Sequence, residues 1–332
     1  MIDRRSAILG TLATGAVGTA AAARAQTAPP AGKTLAAGSS DPIETIDLWP
    51  GGAPGMPAKP PVETVEERSK DPNRTDRAVT GIARPRMVVF RPAVPNGSAV
   101  MVTPGGGYVR VVIDKEGYEI GRWLAARGWT AFVLFYRLPG EGWKDSADVA
   151  LADAQRAMRL IRHRAAAYGV QPERVAAMGF SAGGHVCADL ATRFGAKVYT
   201  PVDAADGLSA RPDIAAPIYA VQSMTLPVAH PGSRELLLGK NASPELERIH
   251  TPALNVTSNT PPCFLVHAED DNVVPVDNSL QLRAALKAAN VPVETHLFTN
   301  GGHGFGLRNA IGKPAAIWPE LFVAWARTQR LG

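Results

Sequence analysis

Five residues, Gly179-Phe180-Ser181-Ala182-Gly183, carry the densest chemistry in the chain. They spell G-x-S-x-G, directly after the apolar run Val175-Ala176-Ala177-Met178 and directly before a helical pattern. Glycines on both sides let a serine sit on a strained strand-to-helix turn, where a bulkier neighbour would strike backbone. Such a turn lifts the hydroxyl clear of a sheet, so that a base reaches it from one side and a substrate carbonyl from the other. The implied chemistry is nucleophilic acyl transfer. It needs a base to take the serine proton, an acid to orient that base, and donors for the oxyanion of a tetrahedral intermediate.

Each part has a candidate, in the chain order serine, acid, histidine. An apolar strand pattern at 264–267 runs into Ala268-Glu269-Asp270-Asp271-Asn272-Val273-Val274-Pro275. Asp271, four residues before Pro275, is the preferred acid, with Asp270 as its rival and Glu269 third. The base is His303, embedded in Gly301-Gly302-His303-Gly304 after the last strand pattern. Of the six other histidines, His163 reads as solvated, while His185 and His267 read as packed or supporting residues. His230 is a candidate to line the substrate site, and His250 and His296 have no chemical context. The first oxyanion donor is the backbone N–H of Ala182, at the start of a helix whose dipole favours negative charge. The others are the amides of Gly106 and Gly107 in Pro104-Gly105-Gly106-Gly107-Tyr108, which follows a strand pattern at 99–103. Tyr108 is a second candidate to line the substrate. The glycine loop lacks G-K-[ST] and opens no G-x-G-x-x-G helix, so it is not a phosphate loop. No cofactor and no metal are expected.

These residues must be positioned by alternating elements. Strand patterns fall at 43–48, 87–91, 99–103, 130–136, 174–178, 214–219, 264–267 and 293–298. Several are continuous apolar runs, such as Ala131-Phe132-Val133-Leu134-Phe135, as in strands buried on both faces of a parallel sheet. Helical periodicity appears at 118–126, 147–167, 279–289 and 315–328. The alternation predicts one α/β domain over 43–332: a doubly wound, mostly parallel sheet of about eight strands, helices on both faces, and no large lid domain. Residues 222–261 break the rhythm as a loop-rich excursion, a common way to shape a binding site.

Of the 332 residues, 45% are apolar and 20% charged, as in a protein with a sizeable core. The formal charge of +5 is scattered rather than clustered, which argues against a nucleic-acid partner. Arg4-Arg5, a weakly apolar stretch, and Ala23-Arg24-Ala25 read as an export leader over 1–25, with the paired arginines favouring the twin-arginine route. Residues 26–42 read as a flexible lead-in. The expected location is periplasmic or secreted, with no membrane association after cleavage. The two cysteines, Cys187 and Cys263, fall on buried-looking elements and read as free thiols.

The motifs PGGGY (104–108), EGYEIGRWLAARGW (116–129), YRLP (136–139), GFSAGGH (179–185), GSRELLLG (232–239), TPPCFLVHAEDDNVVPVDNSL (260–280) and GGHGFGL (301–307) together form a specific set. The chain resembles the acetyl esterase or acetylxylan-esterase-like branch of the α/β-hydrolases, often labelled xylanase-associated esterases, from about residue 47 to 325. The resemblance implies a serine esterase that deacetylates carbohydrates, with Ser181, Asp271 and His303 as its triad. It also implies the Gly106–Gly107 loop as oxyanion hole and a small-molecule or oligosaccharide ester as substrate. Pro104 stands where hormone-sensitive-lipase-like esterases begin HGGG with histidine, which argues against that group. A general short-chain carboxylesterase is the first alternative. A prolyl-oligopeptidase-type peptidase would carry a large propeller, for which the residues before Met87 leave no room. A glycan-chain hydrolase needs two carboxylates flanking the sugar bond, and a non-catalytic binding protein would show a broken triad.

Overall fold

Alternate side chains of a strand point to opposite faces of a sheet, so a strand with every residue buried has both faces covered. The computed structural model describes residues 41–332. The expected leader at 1–25, and all but the end of the lead-in at 26–42, lie outside the described residues. In chain order the elements are β1 (Thr45–Asp47), β2 (Thr64–Glu67), β3 (Arg77–Thr80), β4 (Arg86–Phe90), β5 (Gly97–Thr103) and β6 (Val111–Val112). A π-helical turn (Asp114–Tyr118) leads into α1 (Glu119–Ala125), β7 (Thr130–Phe135), α2 (Val149–His163), β8 (Val170–Phe180) and α3 (Ser181–Arg193). There follow β9 (Ile214–Ile218), α4 (Pro231–Leu238), α5 (Pro244–Ile249), β10 (Cys263–Ala268), α6 (Asp277–Ala288), β11 (Val293–Phe298) and α7 (Trp318–Thr328).

The main sheet has eight strands in the order β1-β4-β7-β5-β8-β9-β10-β11. From β7 to β11 every pairing is parallel, while β4 runs antiparallel to both β1 and β7. All residues of β5, β7, β9 and β10 are buried, so the inner strands are covered on both faces. Helices supply the cover: α1 packs on β4 and β7, α2 and α3 pack together on β8, and α6 and α7 pack on β10. This is the doubly wound, mostly parallel architecture that the apolar runs imply. Strand β8 differs most from its predicted extent. Gln171-Pro172-Glu173-Arg174 hides its first turn from an apolar pattern, although Val170 already pairs with Gly97.

A second, three-stranded antiparallel sheet, β2-β3-β6, was not expected. Its strands are two to four residues long and β2 is wholly exposed, so it carries no periodic signal. It matters because β6 follows the glycine loop directly: Val112 N–H donates to Gly105 C=O at 2.9 Å, and Ile113 N–H to Arg77 C=O at 3.0 Å. Between β7 and α2 the core holds a buried ion pair, Arg137–Asp153, whose side chains are 1% and 0% exposed. Cys187 and Cys263 are free and buried, and burial pushes the Cys187 thiol up to about 12. No helix among the described residues is long and apolar enough to cross a membrane.

Candidate active site

Ser181 stands between β8 and α3 with φ of +53°, a left-handed conformation that costs a non-glycine residue on the order of 1–3 kcal/mol. The turn can be this tight only because its flanks lack side chains. A Cβ on Gly179 would lie 2.2 Å from the carbonyl oxygen of Gly183, and one on Gly183 would lie 2.2 Å from that of Thr103. The Thr103 hydroxyl stitches the turn to β5, donating to Gly183 C=O at 2.8 Å.

The loops after β10 and β11 bring the acid and the base to this turn, although they lie far apart in sequence. Ser181 Oγ is 2.8 Å from His303 Nε2, and His303 Nδ1 is 2.7 Å from Asp271 Oδ2. An imidazole facing a carboxylate at Nδ1 carries its proton there, which leaves Nε2 to accept from the serine hydroxyl. The other carboxylate oxygen of Asp271 accepts from the N–H groups of Val273 and Val274, each at 2.9 Å. Burial pushes the Asp271 carboxyl up, but hydrogen bonds from His267, His303 and Val274 and the charge of His303 outweigh it and hold the group well below the usual range. Asp270 sits elsewhere: its Oδ1 accepts from the N–H groups of Gly301 and Gly302 at 2.9 and 2.7 Å, so it braces the loop that carries His303.

The glycine loop lies against the same turn. A Cβ on Gly105 would be 2.9 Å from Ser181 Cβ. Gly106 has φ of +134°, and a Cβ there would be 2.1 Å from the carbonyl oxygen of Arg110. The carbonyl of Gly106 is engaged by Val109 and Arg110, whereas the amides of Gly106 and Gly107 donate to no acceptor among the described residues. Ala182, in the first turn of α3, likewise has an N–H without an intrahelical acceptor.

The two candidate substrate-lining residues separate. Tyr108 is 2% exposed, and its hydroxyl is 2.6 Å from Nδ1 of buried His185, so its polar end points into the core rather than toward substrate. The reason is local: φ of +62° at Tyr108 turns the side chain inward behind the loop. His230 is half-buried at the N-terminus of α4, where Nδ1 accepts from Ser233 N–H at 3.2 Å and lies 2.9 Å from Ser233 Oγ. That places its proton on Nε2. Burial and the charge of His303 lower its pKa while Asp271 raises it, which puts His230 within electrostatic reach of both. The excursion at 222–261 is tied down by Asn278 of α6, whose Oδ1 accepts from Gln222 and Ser223 N–H and whose Nδ2 donates to Val228 C=O.

Two residues with contacts to this site were not singled out from the sequence. Glu116, in the π-helical turn, is 3% exposed and accepts from Gly105 N–H at 2.9 Å. Tyr219, just past β9, has φ of +35° and donates to the same carboxylate at 3.0 Å. A signal existed for Tyr219, because the carboxyl edge of a parallel sheet is where such folds keep their functional groups.

A mostly parallel eight-stranded sheet, with a serine at the tight turn from an inner strand into a helix, is the architecture of an α/β-hydrolase. The family model BD-FAE matches residues 89–286, more than half of the chain, and the chain belongs to that family. It is 33% identical over 225 residues to an acetylxylan esterase of Xylanibacter ruminicola, a match covering 67% of this chain and 44% of that protein. It is 36% identical over 227 residues to endo-1,4-beta-xylanase B of Butyrivibrio fibrisolvens, covering 68% of this chain and 34% of that protein. The chain thus spans less than half the length of these curated relatives. Its structure superimposes on the acetyl ester-xyloside bifunctional hydrolase of Caldicellulosiruptor lactoaceticus with a TM-score of 0.72 and 32% identity, covering 87% of this chain and 97% of that one.

Proposed function

We propose that this chain is a serine carboxylic-ester hydrolase that removes acetyl groups from acetylated carbohydrates through an acyl-enzyme on Ser181, with residues 43–332 as one catalytic domain. The observation that carries the reading is the unbroken hydrogen-bonded series Ser181–His303–Asp271 beside unengaged loop amides. Ser181 Oγ attacks the ester carbonyl carbon while its proton passes to His303 Nε2. Asp271 holds the imidazole in the required tautomer and stabilises the imidazolium. The N–H groups of Gly106, Gly107 and Ala182 take the oxyanion, each such donor contributing ~2.7–4 kcal/mol in related sites. His303 then gives its proton to the departing sugar oxygen, which leaves as a hydroxyl; a water deprotonated by His303 attacks the acyl-enzyme, and return of that proton to Ser181 Oγ releases acetate. The names of the relatives support the carbohydrate, and half-buried His230, within electrostatic reach of His303 and Asp271, offers a polar group beside the triad. The leader motif at 1–25 supports export to the periplasm or beyond; N-terminal sequencing of the processed protein should begin at Gln26.

The test is to assay the mature protein on p-nitrophenyl acetate, longer acyl esters, an acetylated xylo-oligosaccharide and a prolyl peptide. Acetate should be released from the ester and the sugar, with Ser181→Ala reducing kcat by about 10⁴-fold or more. Equal rates for wild type and Ser181→Ala would end the esterase reading. Turnover of simple esters with none of the acetylated sugar would favour a general short-chain carboxylesterase.

A further inference from the structure

We propose that Glu116 is a positioning residue that locks the oxyanion loop and the His303 loop into one frame, a role that rests on the esterase reading above. Its carboxylate reaches both loops. Oε2 accepts directly from Gly105 N–H at 2.9 Å, and Oε1 accepts from the Tyr219 hydroxyl at 3.0 Å. That hydroxyl in turn accepts from Gly306 N–H at 3.0 Å, three residues past His303. A single buried carboxylate therefore connects 104–108 with 299–306 through one intervening hydroxyl.

The surroundings leave this linkage little freedom. A Cβ on Gly105 would lie 2.6 Å from Glu116 Oε2 and 2.9 Å from Ser181 Cβ, so only a glycine separates the carboxylate from the nucleophile. On the other loop, a Cβ on Gly304 would be 3.1 Å from Lys115 Nζ and 3.5 Å from Glu116 Oε1. The Tyr219 ring packs against Phe305 at 4.5 Å and His303 at 5.4 Å between centroids. Glu116 sits on a π-helical turn, an irregularity that recurs at functional sites, and Tyr219 holds a strained φ of +35°.

The valence of the site suits a carboxylate. Gly105 N–H and Tyr219 O–H are both donors pointing at one side chain, and an ionised glutamate offers an acceptor to each. Glutamine is nearly isosteric but has one acceptor oxygen; with that oxygen on Gly105 N–H, its NH2 meets the Tyr219 hydroxyl, which must turn its proton away and becomes an acceptor to both neighbours. Glu116→Gln therefore keeps the volume but removes the acceptor that orients the Tyr219 hydroxyl between the two loops. Since displacement of a positioning element by about 1 Å can cost about 100-fold in rate, the effect should appear in kcat.

The experiment compares Glu116→Gln, Tyr219→Phe and the double variant with wild type on p-nitrophenyl acetate, with thermal melts on each. Affinity for a trifluoromethyl ketone, which forms an oxyanion on the serine, is measured alongside. Glu116→Gln should lower kcat about 10- to 100-fold and weaken the ketone in parallel, with KM little changed. Tyr219→Phe, which frees only the Gly306 side, should lose less, and the double variant should be no worse than Glu116→Gln because the residues act through one linkage. A destabilised reference, Leu286→Ala on α6, separates positioning from lost stability. If Glu116→Gln loses kcat only as much as Leu286→Ala does at matched melting temperature, or keeps wild-type kcat and ketone affinity, the proposal is wrong. If Glu116→Gln does not fold, Tyr219→Phe decides: an unchanged kcat there overturns the linkage. Full activity in Ser181→Ala would instead remove the esterase reading on which the proposal stands.

Discussion

Oδ2 of Asp271 lies 3.2 Å from Nε2 of His267, four residues earlier in the chain. Nδ1 of His267 lies 2.7 Å from the Ser279 hydroxyl, and Nε2 is also 3.0 Å from Val274 C=O, so its proton sits on Nε2 and faces the carboxylate. Asp271 is thus held by two backbone amides and two imidazoles. Buried acids are tolerated when they are surrounded by donors in this way.

The two adjacent acids should therefore respond differently to the same change. Asp271→Asn presents an amide to one or more of those donors and should reduce kcat by about 10⁴-fold, because His303 loses the partner that fixes its tautomer. Asp270→Asn keeps an acceptor oxygen for Gly301 and Gly302 and should change kcat by less than about tenfold. Steady-state kinetics on an acetyl ester check this, and a larger loss in Asp270→Asn would reverse the assignment.

The serine turn should not accept a methyl group. Gly179→Ala and Gly183→Ala each drive a Cβ to 2.2 Å from a backbone oxygen that has no room to retreat. Destabilisation should reach about 3 kcal/mol or more, with loss of soluble protein. Gly207→Ala, where nothing lies within 4 Å, should melt near wild type and serves as control. Wild-type melting temperatures for the first two variants would contradict the geometry.

Stability should fall in mild acid through His185. Burial lowers its pKa from 6.5 to about 4, against the opposing influence of Asp189 and the His250 carbonyl. The neutral ring already uses both nitrogens, donating from Nε2 to His250 C=O at 2.8 Å and accepting from Tyr108 at Nδ1. The folded pKa lies below the unfolded one, so the unfolded chain takes up the proton first. The contribution is whole above pH 6.5 and is lost as the pH falls toward 4, a total of roughly 3 kcal/mol. Urea unfolding across that window measures it, and His185→Gln should flatten the slope. An unchanged slope in that variant would show that other groups set it.

The Arg137–Asp153 pair should be costly to break. Asp153 accepts from Arg137 Nε at 3.0 Å and Nη2 at 2.9 Å, from Arg137 N–H at 2.8 Å and from Trp49 Nε1 at 2.7 Å. Asp153→Ala removes the counter-charge of a buried guanidinium that keeps only the Pro54 and Val149 carbonyls, and should cost about 3–5 kcal/mol in chemical denaturation. A loss below about 1 kcal/mol would mean that water or a neighbouring carbonyl takes over.

The local grammar of the chain determined its elements and its chemistry. Apolar runs such as 131–135 marked the doubly covered strands, and G-x-S-x-G marked the turn at Ser181, because those signals are set by near neighbours. Chain order and loop context named Asp271 and His303, and the family resemblance implied the same pair. What adjacency in sequence does not encode is which way a side chain turns once the loops meet. Tyr108 looked like a substrate contact until its positive φ sent the hydroxyl to His185. Register to Pro275 favoured Asp271 over Asp270, but only the fold shows one meeting Gly301 and the other His303. The short sheet β2-β3-β6 had no periodicity to read, since its strands are only two to four residues long and β2 buries none of its residues. Glu116 and Tyr219 stand 103 positions apart and acquire a relation only when β9 and the π-helical turn converge on the glycine loop. Hydrogen bonds between distant loops depend on three-dimensional approach, and only the folded sheet supplies it.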